Sequence, residues 1–308
     1  MSLILTPELI ITQIINGLTI GAIYALIALG YTLVYGILLM INFAHGEIFM
    51  FGSFAGYFVL AWFFQSGFTV QHVILSIVIA FLFGMVVSSV LGIIVERLAY
   101  RPLRNAPRLS PLICAIGVSI FLQNIMMIFI KARILMYPDV FPEGTVDMGS
   151  ISISYFQILI IAGSILMMAG LFVFIKKSKT GKAMRAVAED KDTAALMGIN
   201  VDRIITTTFA AGSSLAAVAG VMVGMYYSQI GHMMGFVPGI KAFTAAVLGG
   251  IGNMPGAMLG GYVLGVAEAL GVLVLPAQYK DVIAFSLLVL ILIFRPRGIM
   301  GEVVAERA

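Results

Sequence analysis

Charged residues are scarce in this chain, and cysteine is almost absent. Only 10% of the 308 residues are Asp, Glu, Lys or Arg, whereas soluble domains carry about 25%. Because 61% of the residues are hydrophobic, a water-soluble fold could not hide the apolar surface, and the composition predicts a polytopic membrane protein. The single cysteine, Cys114, excludes an internal disulfide and any metal cluster built on cysteine.

Sequence motifs of enzymes and nucleotide-binding proteins are also missing. There is no HExxH, no GxSxG and no P-loop, because the Gly-Lys pair in SKTGKAM lacks the upstream glycine. His45, His72 and His232 lie on separate segments, so we expect no metal and no cofactor. The net charge of +4 comes from short loops between apolar runs, which indicates membrane topology and not nucleic-acid binding.

Lysine and arginine do not occur before Arg97. A cleavable signal peptide begins with a basic region, so the first apolar run is expected to remain in the mature protein. The basic loops 97–108, 176–203 and 295–307 are expected on the cytoplasmic side, and the loop 131–154 on the outer side. Since no basic residue precedes Arg97, the sequence leaves the side of the N-terminus open.

Apolar runs long enough to cross a membrane recur along the whole chain. Eight are clear candidates for transmembrane helices: 9–29, 48–64, 73–95, 110–130, 155–175, 204–227, 257–275 and 281–294. Two further segments, 31–45 and 239–253, are short and glycine-marked, and each could be a half-helix, a re-entrant segment or a short crossing. We therefore expect an all-α polytopic membrane protein with eight to ten crossings in a single transmembrane domain, 1–308.

The parity of the crossings constrains the second short segment. Between the basic residues Arg203 and Arg295 the chain must cross an even number of times to return to the same side. Only three clear candidates lie there, so 239–253 is expected to cross as well.

Polar residues interrupt the apolar run MINFAHGEIFMFG at Asn42, His45 and Glu47. Asn42 and His45 are three positions apart and could share a helix face, whereas His45 and Glu47 could not. We expect Gly46 to allow a helix break and Glu47 to lie in the first turn of the next helix, near the positive end of its dipole. A structural cap and a role in a transport pathway both remain open for these residues.

Other polar residues lie deep in apolar segments, where a charge is costly. Glu268 is expected either to fix helix packing or to line a pathway, and Lys241 to reach the outer interface with its side chain. Asn253 lies in LGGIGNMPGAMLGG, which looks like a second break. The amides of Asn16, Gln123 and Asn124 are expected to form hydrogen bonds between helices.

The loop 176–203 combines basic residues with an Ala/Leu/Met face and ends its helical pattern at Gly198. It could be a solvated connector whose charges only fix topology. It could also be a short amphipathic helix beneath the membrane that docks into a groove on another protein. Because a simple connector does not need an apolar face, the docking interpretation is favoured.

Three stretches resemble a known family. AEDKDTAALMGIN is similar to the cytoplasmic coupling loop of ABC importer permeases, in which Glu-Ala-Ala is followed by Gly; here acids follow Glu189, and Gly198 comes nine positions after it. GLTIGAIYALIALGYTLVYGILLMINFAHGEIFMFGSFAGY and KAFTAAVLGGIGNMPGAMLGGYVLGVAEAL resemble the branched-chain amino-acid importer permeases of the LivH type. The resemblance runs from about residue 13 to 300 and is weakest in the outer loop.

The resemblance implies a permease subunit of the bacterial inner membrane. Such a subunit pairs with a homologous second permease and with two cytoplasmic ATPase subunits, and a periplasmic binding protein delivers branched-chain or other neutral amino acids. The implied ATPase-contacting residues are Arg185, Glu189, Asp190, Ala194, Gly198 and Ile199. The candidates for the pathway or the helix breaks are Asn42, His45, Glu47, Asn253 and Glu268.

A second hypothesis is a self-contained secondary amino-acid transporter driven by an ion gradient. It explains the broken segments and the buried carboxylates of Glu47 and Glu268, but not the docking-type loop. A membrane-embedded enzyme is disfavoured, because no catalytic set converges in the sequence.

Overall fold

The computed structural model describes residues 6–104, 106–107, 109–140, 144–149 and 151–301. Arg108, Glu143 and Arg307 lie outside these residues. The helices are α1 Pro7–Leu38, α2 His45–Gln65, α3 Phe68–Gln71, α4 Val73–Val95, α5 Leu109–Ile130, α6 Tyr155–Lys177, α7 Lys179–Glu189, α8 Lys191–Leu196, α9 Val201–Tyr227, α10 Phe236–Gly249, α11 Met254–Gly271 and α12 Lys280–Phe294. The expected all-α polytopic membrane fold is confirmed.

Short irregular elements connect the helices. A π-helical turn, Glu96–Tyr100, and a 3₁₀ turn, Arg101–Leu103, follow α4, and a second 3₁₀ turn, Ala277–Tyr279, precedes α12. The strands are β1 Leu135–Met136, β2 Thr145–Met148, β3 Ile151–Ser154 and β4 Gln229–Ile230. Strands β2 and β3 form an antiparallel hairpin, and β1 pairs antiparallel with β4.

Within the described residues, seven helices are long and apolar enough to cross a membrane. Helix α10, with 14 residues, is the shorter apolar helix that the glycine-marked segment 239–253 predicted, although it begins three residues earlier. The expected clear span 257–275 corresponds to α11, whose 18 residues are not among the seven. Its glycines and Glu268 lower the hydropathy of α11.

The segment 31–45 is not a separate element, which corrects the expectation for the N-terminal part. Its first eight residues complete α1, whose 32 residues extend about 48 Å. The chain then leaves the helix at Leu39, which has a left-handed φ of 55°, and the rest of the segment forms a turn before α2. Gly30 lies inside α1, where it provides room for a neighbouring side chain.

The two ends of α1 identify its direction. Near its start, Gln157 at the beginning of α6 donates a hydrogen bond of 2.8 Å to Asn16. Its last turn and the following residues line a cavity with Arg104 and Lys191, which belong to the basic end of the bundle. If the basic end is cytoplasmic, α1 begins on the outer side. The tertiary contacts thus place the start of α1 at the end of the bundle opposite the basic loops, and we call this end the outer end.

Helix α1 is the centre of the bundle. It packs against α11 through small residues, and a Cβ at Gly17 or Gly21 would meet the backbone of α11 at 2.6–2.9 Å. Such close backbone approach is how small residues stabilise helix pairs in membranes. Helices α6 and α12 lie at the periphery, with few buried side chains.

The C-terminal part crosses the bundle four times. Helix α9 ends at the outer side, where β4 pairs with β1. Helix α10 begins in the interior and ends at Gly249, next to the segment that follows α12. Helix α11 then returns outwards and α12 inwards. The chain thus runs through the bundle four times between Arg203 and Arg295, and the expectation that 239–253 crosses the membrane stays a prediction, since α10 has only 14 residues.

Candidate functional site

The break predicted in MINFAHGEIFMFG exists, but it lies at residues 39–44 and not at Gly46. Asn42 is part of this turn, and its side chain accepts a hydrogen bond of 2.6 Å from the hydroxyl of Tyr100. Asn42 and His45 therefore do not share a helix face, because α2 begins only at His45. Glu47 lies in the first turn of α2, as the sequence predicts.

Gly46 does not break a helix, as the sequence predicted, but permits close packing of two helices. It lies inside α2, opposite the start of α10, where a Cβ at Gly46 would overlap the carbonyl oxygen of Gly235. In turn, a Cβ at Gly239 would lie 3.1 Å from the Cα of Gly46. These glycines let the N-terminal ends of α2 and α10 meet in the interior of the bundle.

His45 fills the space that Gly30 leaves free on α1. A Cβ at Gly30 would collide with the imidazole ring, which also packs edge-on against Tyr31 with 4.9 Å between ring centroids. The ring is buried, and its Nε2 has no hydrogen-bond partner among the described residues. His45 thus holds α2 against α1 by packing and by a hydrogen bond with the backbone of Ile27.

Glu47 is completely buried, with 0% of its surface exposed. Its Oε1 accepts hydrogen bonds from the Ser119 hydroxyl at 3.2 Å and from the Gln123 amide at 2.9 Å, both on α5. Its Oε2 has no partner among the described residues. The carboxylate borders a cavity of about 320 Å³ between α1, α2, α5 and α10, which we call the Glu47 cavity.

Glu268 belongs to a second buried cluster. Its Oε1 lies 3.0 Å from the Nζ of Lys241, and Tyr24 donates a hydrogen bond of 3.1 Å to its Oε2. The same Nζ lies 2.7 Å from Asp281 on α12. Lys241 is buried but pairs with the exposed Asp281, so the expectation that its side chain reaches the outer interface stays a prediction. The carboxylates of Glu268 and Asp281 stabilise the charge of Lys241 in this buried position. We call Tyr24, Lys241, Glu268 and Asp281 the lysine cluster.

An outer cavity of about 590 Å³ lies beside the lysine cluster. Residues Val237, Pro238 and Lys241 of α10 line it, together with residues of β4 and the loop 231–234. The Glu47 cavity touches the same helix at Phe236, Gly239 and Ile240. The first two turns of α10 therefore stand between the two cavities.

Asn253 lies apart from both cavities, at the inner end of the bundle. Its Oδ1 accepts a hydrogen bond of 2.9 Å from the backbone N–H of Gly256, and its Nδ2 donates one of 2.8 Å to the carbonyl of Met300. This is the geometry of a helix N-cap that also holds the C-terminal segment. Of the five candidates, Asn42, His45 and Glu47 are neighbours, whereas Glu268 and Asn253 are elsewhere.

The basic loop after α4 forms an ion cluster that the sequence analysis missed. Arg101 and Arg104 both pair with Asp202 at the start of α9, and Arg104 also pairs with the buried Glu96. Thr206 donates a hydrogen bond of 2.8 Å to Glu96. The cluster ties the loop to α9. Only the acidic Glu96 at the edge of a basic loop could have indicated such pairing.

The loop 176–203 forms two helices, α7 and α8, instead of one. Asp190 separates them and caps α8, because its side chain accepts a hydrogen bond of 2.8 Å from the N–H of Thr193. Gly198 follows α8 with a φ of 82°, and the predicted helix stop at this glycine is confirmed. The apolar face of α7 packs against the bundle through Met184 and Val187.

The coupling candidates differ in exposure. Arg185, Glu189, Asp190 and Gly198 are exposed, whereas Ala194 is buried and Ile199 is half-buried against the core. Two large apolar side chains beside them point to solvent: Leu196 is 88% exposed and Met197 78%. The part of the apolar face that remains free for a partner is thus the end of α8.

Two amides on α5 behave differently. Gln123 bonds across to Glu47, which confirms the expected interhelical contact, while Asn124 donates to the carbonyl of Ile120 in its own helix. The prediction for Asn124 is wrong, because an amide facing the periphery has its own backbone as the nearest acceptor.

In the described residues, no group of three or more His, Cys, Asp or Glu side chains is placed to hold a metal ion.

Comparison with known proteins assigns the chain to a family. Residues 13–292 match the family model described as the branched-chain amino acid transport system / permease component. The chain is 51% identical to the high-affinity branched-chain amino acid transport system permease protein BraD of Pseudomonas aeruginosa, over 96% of this chain and 97% of that protein.

Two further relatives extend the comparison. The permease protein LivH of Escherichia coli, from a system with the same description, is 46% identical over 96% of each chain. The autoinducer 2 import system permease protein LsrC of Yersinia enterocolitica is 31% identical over 43% of this chain and 39% of that protein. The match to the family model, over residues 13–292, includes the helix break, both cavities and the α7–α8 segment. The chain therefore belongs to the branched-chain amino acid transport system permease family.

Proposed function

We propose that this protein is the inner-membrane permease subunit of a binding-protein-dependent ABC importer for branched-chain or related neutral amino acids. The observation that carries the proposal is the near-complete coverage by relatives described as high-affinity branched-chain amino acid permeases. The bacterial origin of these two relatives supports a bacterial inner membrane as the location. The apolar lining of the Glu47 cavity suits aliphatic side chains, although such a lining discriminates weakly among them.

The second hypothesis, a secondary transporter driven by an ion gradient, loses part of its support. It rested on the broken segments and on two buried carboxylates, and one of these, Glu268, is paired with Lys241 and Tyr24. The family to which the chain belongs is described as a permease component of a transport system, which fits the importer and not a self-contained transporter.

Partner subunits are part of the proposal. A homologous second permease would complete the translocation pathway, of which this chain forms half. Two cytoplasmic ATPase subunits would dock at the basic end, and a periplasmic binding protein would deliver the substrate at the end that carries β1–β4. The peripheral helices α6 and α12 expose apolar side chains that suit lipid or a neighbouring subunit.

The α7–α8 segment is proposed to contact the ATPase. Helix α7 is held by its buried face, so a force on α8 would reach α6 and α9, to which the segment is joined. The exposed Leu196 and Met197 would enter an apolar groove, with Arg185, Glu189 and Asp190 as the polar surroundings. Ala194 and Ile199 would instead keep α8 seated on the bundle.

Reconstitution tests the function. In proteoliposomes that contain both permeases, the ATPase subunits and the binding protein, leucine uptake is expected only with ATP inside. Each omission of a subunit should abolish uptake. Leucine uptake by this chain alone, driven by a proton gradient, would contradict the proposal.

Substitution at the end of α8 tests the coupling segment. The double variant L196D/M197D is expected to abolish ATP-dependent uptake, because charged side chains cannot enter an apolar groove, while the permease still assembles in the membrane. The matched control is L98D, since Leu98 is 76% exposed at the same end of the bundle but outside α7–α8. Uptake by L196D/M197D equal to that of L98D would exclude this contact.

A further inference from the structure

We propose that the Glu47 cavity is an amino-acid site inside the permease, in which Glu47 binds the α-ammonium of the substrate and the apolar walls contact its aliphatic side chain. This inference rests on the proposed function and adds a place where the permease itself recognises its substrate. Three observations support it: an unfilled carboxylate oxygen, the composition of the cavity wall, and the convergence of two helix ends.

The carboxylate of Glu47 is only half satisfied. Ser119 and Gln123 both donate to Oε1, while Oε2 has no partner among the described residues although the side chain is fully buried. No Lys, Arg or His in the described parts of the chain forms an ion pair with it. A buried carboxylate without a partner is costly, and a cationic ligand at Oε2 would offset that cost.

Apart from Tyr31, Ser119 and Gln123, the rest of the cavity wall is apolar. Phe43, Ile116, Ile120, Phe236 and Ile240 supply most of it, and about 320 Å³ lies at the lower end of the range of small-molecule pockets. A ligand that fits must therefore be small, mostly apolar and cationic at one end. A primary ammonium, which has three N–H donors, next to a branched aliphatic chain has this character.

The N-terminal ends of α2 and α10 are suited to bind the negatively charged carboxylate of an amino acid. Both helices begin next to the cavity, where Gly46 and Gly235 are in contact, and neither has a side-chain cap. The positive ends of helix dipoles favour an anion such as a substrate carboxylate. The first turn of α10 lines the cavity with Phe236 and Gly239, so a carboxylate there would lie close to an ammonium on Glu47.

The lysine cluster does not offer an equivalent site. Lys241 already contacts Glu268 and Asp281, and the hydroxyl of Tyr24 occupies the second oxygen of Glu268. The outer cavity instead suits an entrance, since it opens at the end that carries β1 and β4. A substrate would pass from it around the start of α10 to reach Glu47.

The test measures binding to the purified transporter complex without the binding protein. Saturation-transfer NMR, which detects weak ligands, is used to titrate leucine into the wild-type complex and the E47Q variant. The wild type is expected to bind leucine, and E47Q to bind it at least about tenfold more weakly, because the amide lacks the charge. The control E8Q removes an exposed carboxylate at the start of α1 and should bind as the wild type does.

Leucine analogues identify the recognised group. 3-Methylbutylamine, which is leucine without its carboxylate, should compete for the site in the wild type but not in E47Q. 4-Methylpentanoic acid, which lacks the ammonium, should not compete in either. Competition by the acid alone, equal leucine affinity in E47Q, or no leucine binding to the wild type would each overturn the inference.

A second variant covers a failure of E47Q to assemble. I120W fills the cavity from a side chain that is 54% exposed, so it should leave assembly intact and weaken leucine binding at least about tenfold. Unchanged binding by I120W would overturn the inference as well. If the Glu47 site fails these binding tests but ATP-dependent leucine uptake persists, the proposed function still holds. The failure of the site can therefore be distinguished from the failure of the proposed function.

Discussion

Two buried clusters of charge in this molecule differ in how completely they are paired. In the lysine cluster, the Nζ of Lys241 lies 3.0 Å from Glu268 and 2.7 Å from Asp281. Tyr24 donates a hydrogen bond to the second carboxylate oxygen of Glu268. In the Glu47 cavity, one carboxylate oxygen accepts two hydrogen bonds and the other has no partner among the described residues. The first cluster joins α1, α10, α11 and α12, whereas the second borders an empty space.

This difference in pairing distinguishes a buried charge that stabilises packing from one that can bind a ligand. A charged group that is fully paired inside a protein contributes to one packing arrangement, and removal of one partner leaves the other exposed to a low dielectric. A charged group that is only half satisfied has capacity for a ligand. Burial of a carboxylate alone, which is all that an apolar sequence run indicates, does not tell these cases apart.

The largest effect is expected in the lysine cluster. K241M leaves Glu268 buried beside Tyr24 without a cation, which should lower the free energy of unfolding by about 3–5 kcal/mol. The measurement is the thermal unfolding midpoint of the purified protein in detergent. The double variant K241M/E268M removes both charges and should recover most of the loss; a K241M protein as stable as the wild type would show that the cluster is not structural.

A smaller effect is expected at Asn253. N253A removes the N-cap of α11 and the hydrogen bond to the carbonyl of Met300, so it should cost about 0.5–2 kcal/mol of stability. The affinity of the complex for leucine should not change, because Asn253 lies at the inner end and not in either cavity. N253D keeps the capping oxygen but loses the donor to Met300, so it separates the two contributions. Weaker leucine binding at unchanged stability would indicate that Asn253 belongs to the transport pathway.

The smallest effect on stability is expected for E47Q. The glutamine keeps an oxygen that can accept from Ser119 and Gln123, and it removes a buried charge that has no counter-ion among the described residues. The free energy of unfolding should therefore change by less than about 1 kcal/mol. The same thermal unfolding assay applies, and a loss as large as that of K241M would make Glu47 a packing residue like Glu268.

Local patterns predicted much of the fold. Most long apolar runs became helices close to the expected bounds, such as 110–130 for Leu109–Ile130 and 155–175 for Tyr155–Lys177. Helix length and apolar composition are local properties, and so are the stop at Gly198 and the position of Glu47 in a first turn. These features were accessible because each depends on residues that are neighbours in the chain.

The role of a glycine is hard to predict from sequence where it depends on distant residues. Gly46 was expected to break the helix, yet it lies inside α2 and makes room for Gly235, just as Gly30 inside α1 makes room for His45. The break itself lies at residues 39–44 and begins at Leu39, a non-glycine residue with positive φ. A glycine that permits close packing and one that ends a helix look the same in sequence, since the difference is the presence of a neighbour.

The sequence by itself determined the membrane class, the position of the basic loops, the family resemblance and the presence of polar residues that need partners. Only the tertiary structure decided those partners, because Glu47 meets Gln123 across 76 positions and Tyr24 meets Glu268 across 244. Composition and periodicity record the free-energy cost of a buried charge, but only packing brings together the distant groups that offset it. In this bundle Glu268 is paired with Lys241 and Tyr24, while one oxygen of Glu47 has no partner among the described residues.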